Sequence, residues 1–146
     1  MKTRELYNII DAFCPKTLSC SWDNDGIMVS PSLDAEVKRV LLSLDATYEA
    51  VSYAADYGYD TLITHHPMLF RGAKSVSETT LSGRRIIRAL SSGVTVMSFH
   101  TRLDACEGGV NDALMNRLGF TPTGAFGDEE SPTLARFADI LSLIHI

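Results

Sequence analysis

Thr61-Leu62-Ile63-Thr64-His65-His66-Pro67 reads as a short apolar strand that stops in two adjacent histidines and a proline. Half of the four histidines in this 146-residue chain stand on that one corner. Pro67 restricts the backbone of His66 and cannot extend a strand ladder, so the strand ends there with both rings held at its terminus. Neutral imidazole is the commonest metal ligand, and open α/β sheets bind their ligands beyond the carboxyl ends of strands.

The same pattern recurs on both sides. Upstream, Arg39 to Leu44 reads as another strand, and between the two Ala50, Val51, Ala54 and Ala55 share a helical face, with Gly58 as a stop signal. Downstream, Ser82 to Ser92 carries Ile86, Ile87 and Leu90 on one face and ends at Gly93. The apolar run Val94 to Phe99 follows and stops at His100-Thr101-Arg102-Leu103-Asp104. Such strand-helix-strand units cross over right-handedly and give parallel strands. The fold class is therefore α/β, a mostly parallel sheet with βαβ crossovers. Asp45, His65, His66, His100 and Asp104 are all expected at the carboxyl edge of that sheet.

Leu6, Ile9, Ile10 and Phe13 mark an amphipathic N-terminal helix closed by Pro15. Ser21-Trp22-Asp23-Asn24-Asp25-Gly26 is a turn-forming cluster, with Trp22 expected to fill the edge of the core, and it leads into the short strand Ile27, Met28, Val29. Beyond Gly108-Gly109, Val110, Ala113, Leu114 and Leu118 mark a helix ended by Gly119, and Phe120 to Pro132 reads as a loop. Leu141-Ser142-Leu143-Ile144-His145-Ile146 matches the in-frame translation of a sequencing-library adapter. Residues 141–146 are therefore expected to be a non-native tail, with His145 no ligand. Residues 1–140 are read as the N-terminal part of a metal-binding domain whose C-terminal part is missing.

With 45% hydrophobic and 21% charged residues the composition is that of one ordinary globular core. The net charge of -5, with only Arg84, Arg85 and Arg88 clustered, does not indicate a nucleic-acid or anionic-membrane surface. No run approaches the roughly 18 apolar residues of a membrane span. The N-terminus lacks a signal-peptide core, so a cytoplasmic location is expected. Cys14, Cys20 and Cys106 are odd in number and form no Cys-x-x-Cys, which argues for reduced thiols over disulfides or a zinc knuckle.

Histidines and a carboxylate at adjoining strand ends suit a divalent ion such as zinc, manganese or iron. Adjacent residues in extended backbone point to opposite sides, so one ion each for His65 and His66 is the natural solution. Two ions roughly 4 Å apart suit hydrolysis. His65, His66 and Asp104 are too few to hold both, and further ligands must come from elsewhere.

Four segments together resemble the GTP cyclohydrolase I type 2 homologues, the Nif-three-like family: Trp22-Asp23-Asn24-Asp25-Gly26, Ser43-Leu44-Asp45-Ala46-Thr47, Thr64-His65-His66-Pro67-Met68-Leu69-Phe70 and His100-Thr101-Arg102-Leu103-Asp104. Arg102 stands where the family often has asparagine. The resemblance implies a Nif-three-like fold and two divalent metal ions per complete subunit, with His65 and His66 each on one ion and Asp104 joining the ion on His66. It places a further histidine and a bridging glutamate in a C-terminal region that this chain lacks, so the 146-residue chain alone is expected to be inactive. His100 and Asp45 are expected to orient ligands or to contact substrate. The implied assembly is a homohexamer when complete. The implied activity is metal-dependent hydrolysis of a purine nucleotide, and a non-catalytic metal-binding or partner-binding role is the alternative.

Overall fold

The computed structural model describes residues 1–129 and 131–140; the expected adapter-derived tail, residues 141–146, lies outside them. The chain divides into two compact units, Met1–Phe13 with Trp22–His100, and Cys14–Ser21 with the chain from Thr101 onward.

The first unit is built on one sheet of β1 (Gly26–Val29), β2 (Val40–Ser43), β3 (Thr61–Thr64) and β4 (Thr95–Ser98), in the order β1-β4-β3-β2. The last three are parallel and in register, with Ser43, Thr64 and Ser98 level at their carboxyl ends. Helices α2 (Tyr48–Asp56) and α3 (Leu81–Ser91) make the crossovers. Each starts where a threonine side chain accepts a hydrogen bond from a first-turn N–H. Thr47 takes that of Ala50 at 3.1 Å, and Thr80 takes that of Gly83 at 3.0 Å. Gly83 has to be glycine, because a Cβ there would sit 2.0 Å from the Ser77 carbonyl oxygen.

Alternation along the strands turns Leu62 of β3 and Val96 of β4 toward the helices. There they close a core with Val51 and Ala54 of α2, Ile86 and Ala89 of α3, and Val94. β4 is buried along its whole length, as expected of a central parallel strand, whereas Leu42 on the edge strand β2 is 73% exposed. The N-terminal helix α1 (Thr3–Phe13) is tied to the segment before β2. Thr3 N and Arg4 N donate to Ala35 O and Leu33 O, each at 3.0 Å, which satisfies first-turn groups that have no partner inside the helix.

β1 departs from the crossover logic. It runs antiparallel to β4, with Gly26 opposite Ser98, and its register shifts between Ile27 and Val29. Its amino end therefore lies level with the carboxyl ends of the three parallel strands. That orientation carries the preceding turn, Trp22 to Asp25, to the edge where the histidines stand.

The second unit holds a 3-10 turn (Lys16–Leu18), α4 (Thr101–Ala105), α5 (Val110–Arg117) and an antiparallel pair, β5 (Gly124–Phe126) with β6 (Ala135–Phe137). Two sequence expectations are corrected here. Residues 101–105 form a short helix where the sequence reads only a polar strand end, and the expected loop from Phe120 to Pro132 contains β5. Three residues are too few to show a period, and the partner of β5 is non-local. Arg136 fastens this unit. Its Nε donates to Asp112 Oδ1 at 2.6 Å, and its Nη2 donates to the Ala105 and Cys106 carbonyls at 3.1 and 2.9 Å. That bond from Arg136 holds the Asp112 carboxyl below the usual carboxylate range. Arg102 is fully buried and donates to the Cys14 carbonyl at 3.3 Å. All three cysteines are buried free thiols, and burial pushes the Cys106 thiol up. Among the described residues no helix is long and apolar enough to cross a membrane.

Candidate metal centre

β3 ends at Thr64, and the chain bends immediately, so His65 and His66 leave the strand on a bend and not on extended backbone. The expectation that two adjacent rings must point to opposite sides rests on extended geometry. The bend removes that constraint, and the two ring centroids lie 5.0 Å apart. Backbone and side-chain bonds fix the bend. Thr64 Oγ1 donates to the His66 carbonyl at 2.8 Å, and His66 N donates to the Leu44 carbonyl at 3.0 Å. On the neighbouring strand, Phe99 N donates to the Thr64 carbonyl at 2.9 Å and sets the point at which β4 releases His100.

His100 completes a triangle. Its ring centroid is 5.2 Å from that of His65 and 5.7 Å from that of His66. One ring nitrogen from each of His65, His66 and His100 lies within 4.8 Å of the other two. Two of the imidazoles are oriented by carboxylates. His66 Nδ1 is 2.7 Å from Asp45 Oδ1, and His100 Nδ1 is 3.0 Å from Asp23 Oδ1. An ionised carboxylate only accepts hydrogen bonds, so in the neutral form of each ring Nδ1 carries the proton and Nε2 offers its lone pair. A carboxylate on the far nitrogen is the usual support of a metal-ligating histidine, since it fixes the tautomer and raises ligand basicity. The backbone of His100 is held as well, its N–H donating to Asp25 Oδ2 at 3.3 Å.

The donor set fits a divalent ion. Zinc takes neutral imidazole nitrogen at about 2.0–2.1 Å, which in a tetrahedral site puts two nitrogens about 3.4 Å apart. The three donors lie within 4.8 Å of one another, so no pair exceeds that spacing by more than about 1.4 Å. Of the residues singled out from the sequence, the structure brings His65, His66, His100 and Asp45 together in the first unit. Asp104 belongs to the second unit, on α4, where its backbone carbonyl accepts from Asn111 Nδ2 at 3.2 Å.

Asp23 is the residue that sequence reasoning missed. Its turn was marked in the sequence only as turn-forming and as one of the four segments that carry the resemblance, with no role for Asp23, and its approach to His100 depends on the antiparallel direction of β1. Trp22 does not fill the core edge. Asn24 Nδ2 donates to the Leu69 carbonyl and ties the turn down, while the indole stays 57% exposed. A surface concavity of about 590 Å³ lies in the second unit around Asp112 and Arg136, and no histidine lines it. The candidate centre is assigned from donor chemistry and not from concavity.

Residues 1–142 match the family model described as Duf34/NIF3 (NGG1p interacting factor 3). A Clostridium acetobutylicum protein named GTP cyclohydrolase 1 type 2 homolog is 38% identical over 120 residues, which are 82% of this chain and 44% of that protein. Reduced HcgD from Methanocaldococcus jannaschii superposes with a TM-score of 0.80 at 30% identity, over 88% of this chain and 51% of that one. A Bacillus cereus protein related to NIF3 superposes at 0.81 and 29% identity, over 87% and 35%. The chain thus spans less than half the length of the curated relatives it matches, 44% and 45% in two Clostridium proteins.

Proposed function

We propose that this chain, which belongs to the Duf34/NIF3 family, is the N-terminal part of a divalent-metal-dependent hydrolase acting on a purine nucleotide. In this reading His65, His66 and His100 present nitrogen ligands to one divalent ion, zinc, manganese or iron, and the second ion that the resemblance implies would need ligands beyond these three. Asp104 remains the carboxylate ligand proposed from the sequence motif. Such ions, when bound, polarise a substrate oxygen and acidify water. The part played by the chain itself is positional. Asp45 and Asp23 hold His66 and His100 with their Nε2 atoms directed away from the carboxylates. The Thr64, Leu44 and Phe99 backbone bonds keep the strand ends from drifting.

The single observation that carries the proposal is the trio of imidazole nitrogens within 4.8 Å of one another, two of them backed by carboxylates. The guanine-nucleotide substrate is supported by the name of the Clostridium acetobutylicum relative. Calorimetric titration with zinc or manganese tests the centre: replacing any of the three histidines with alanine should weaken binding at least tenfold. Turnover of GTP by the uninterrupted gene product, loaded with defined metal and compared with a metal-free control, tests the hydrolase. Metal uptake without turnover would leave a metal-binding protein and reject the enzyme. A homohexamer is the proposed assembly of the complete protein, and sedimentation tests it.

A further inference from the structure

Trp22 and Phe70 are large aromatic side chains that stand in the open beside the histidine group, 57% and 47% exposed. Their ring centroids lie 6.1 Å apart with planes inclined at 59°, and the Trp22 ring is 6.3 Å from that of His100. All of these separations fall within the range of aromatic contact, so the exposed pair is contiguous with the imidazoles. The two aromatics sit on different loops, one before β1 and one after β3. The bond from Asn24 Nδ2 to the Leu69 carbonyl joins those loops one and two residues from the rings, and so presets their spacing before anything binds. Neither ring belongs to the hydrophobic core of the unit.

We propose that Trp22 and Phe70 form a stacking platform for a planar heteroaromatic ring and hold that ring beside His100 and its two neighbours. Aromatic side chains stack on any base through its π-face, and the exposed indole and phenyl surfaces of Trp22 and Phe70 offer such faces beside the imidazoles. The inference rests on the metal-centred reading only for what lies next to the bound ring. It deepens that reading by making the heterocycle, and not its phosphates, the part of a nucleotide that this unit recognises.

Trp22 is the single tryptophan of the chain, so its emission reports on the platform directly. Guanosine, titrated into the protein, should quench that emission saturably, and tripolyphosphate should neither quench nor compete. Phe70→Leu keeps apolar bulk but removes the π-face, and it should weaken guanosine binding about tenfold, within the span known for loss of one base-stacking side chain. Trp22→Leu, followed by equilibrium dialysis with labelled guanosine, should give a loss of the same size. Both residues are exposed, so the unfolding midpoint should not move. Absence of saturable quenching overturns the proposal. So does unchanged affinity in both variants, displacement of guanosine by tripolyphosphate, or a smaller sedimenting species for Trp22→Leu, which would make the pair a contact between copies. A parallel zinc titration separates the two readings. Zinc uptake without guanosine binding rejects the platform and leaves the metal centre, whereas guanosine binding without zinc uptake upholds the platform and rejects the metal centre.

Discussion

Replacing Asp23 and Asp45 separately with asparagine should weaken metal binding to different degrees, and the difference follows from burial. Asparagine keeps the shape and one acceptor oxygen, so the substitution removes the charge that supports the imidazole and little else. Loss of a carboxylate behind a ligating histidine costs 10- to 100-fold in metal affinity. The Asp45–His66 pair is short, 2.7 Å, but its side chains are 54% and 46% exposed, so water screens it and replaces part of what is lost. The Asp23–His100 pair is longer, 3.0 Å, yet the Asp23 side chain is 0% exposed and that of His100 is 20% exposed. Its charge acts through a poorly screened medium. Asp23→Asn should therefore lie near the upper end, about 100-fold or about 2.7 kcal/mol, and Asp45→Asn near the lower, about tenfold or about 1.4 kcal/mol. Competition for zinc against a chromophoric chelator measures both. The unfolding midpoint, read in parallel, separates ligand support from damage to the fold. Equal losses for the two variants, or a larger loss for Asp45→Asn, would refute the burial argument, and no loss in either would refute the role assigned to the carboxylates.

Leu62, fully buried among α2, α3 and β4, should cost about 3 kcal/mol on truncation to alanine, while Leu42→Ala on the exposed edge strand should change stability by about 0.5 kcal/mol or less; urea unfolding of the two variants measures the contrast. Asp112 is bonded by Arg136 and its carboxyl is held low, so it contributes stability that is present above the unfolded-state value and is lost as pH falls through the depressed folded-state value. The stability difference between the native chain and Asp112→Asn should thus be full at neutral pH and shrink below about pH 4, as read by denaturant unfolding over a pH series.

What the sequence determined by itself was local. Periodicity and stop signals located β2, β3, β4, α2 and α3, because each carries enough residues of one period to declare its type and each ends at a glycine, a proline or a polar cluster. Right-handed crossover then made the three strands parallel, which put Asp45, His65, His66 and His100 beyond one sheet edge without any knowledge of side-chain contacts. Tertiary structure decided what depends on pairing between distant segments. The antiparallel direction of β1 brings Asp23 to His100, and nothing in Trp22 to Val29 encodes that direction, since a short apolar strand reads the same whichever way its neighbour runs. The bend after Thr64 lets two adjacent histidines approach each other, and its geometry is fixed by bonds to Leu44, just past the end of β2, and to Ser98 on β4. β5 was invisible because its reason to exist is β6. The exposure of Trp22 was misjudged for a related reason: an indole is apolar enough to belong in a core, and only the packing of the finished unit shows that the core closes without it.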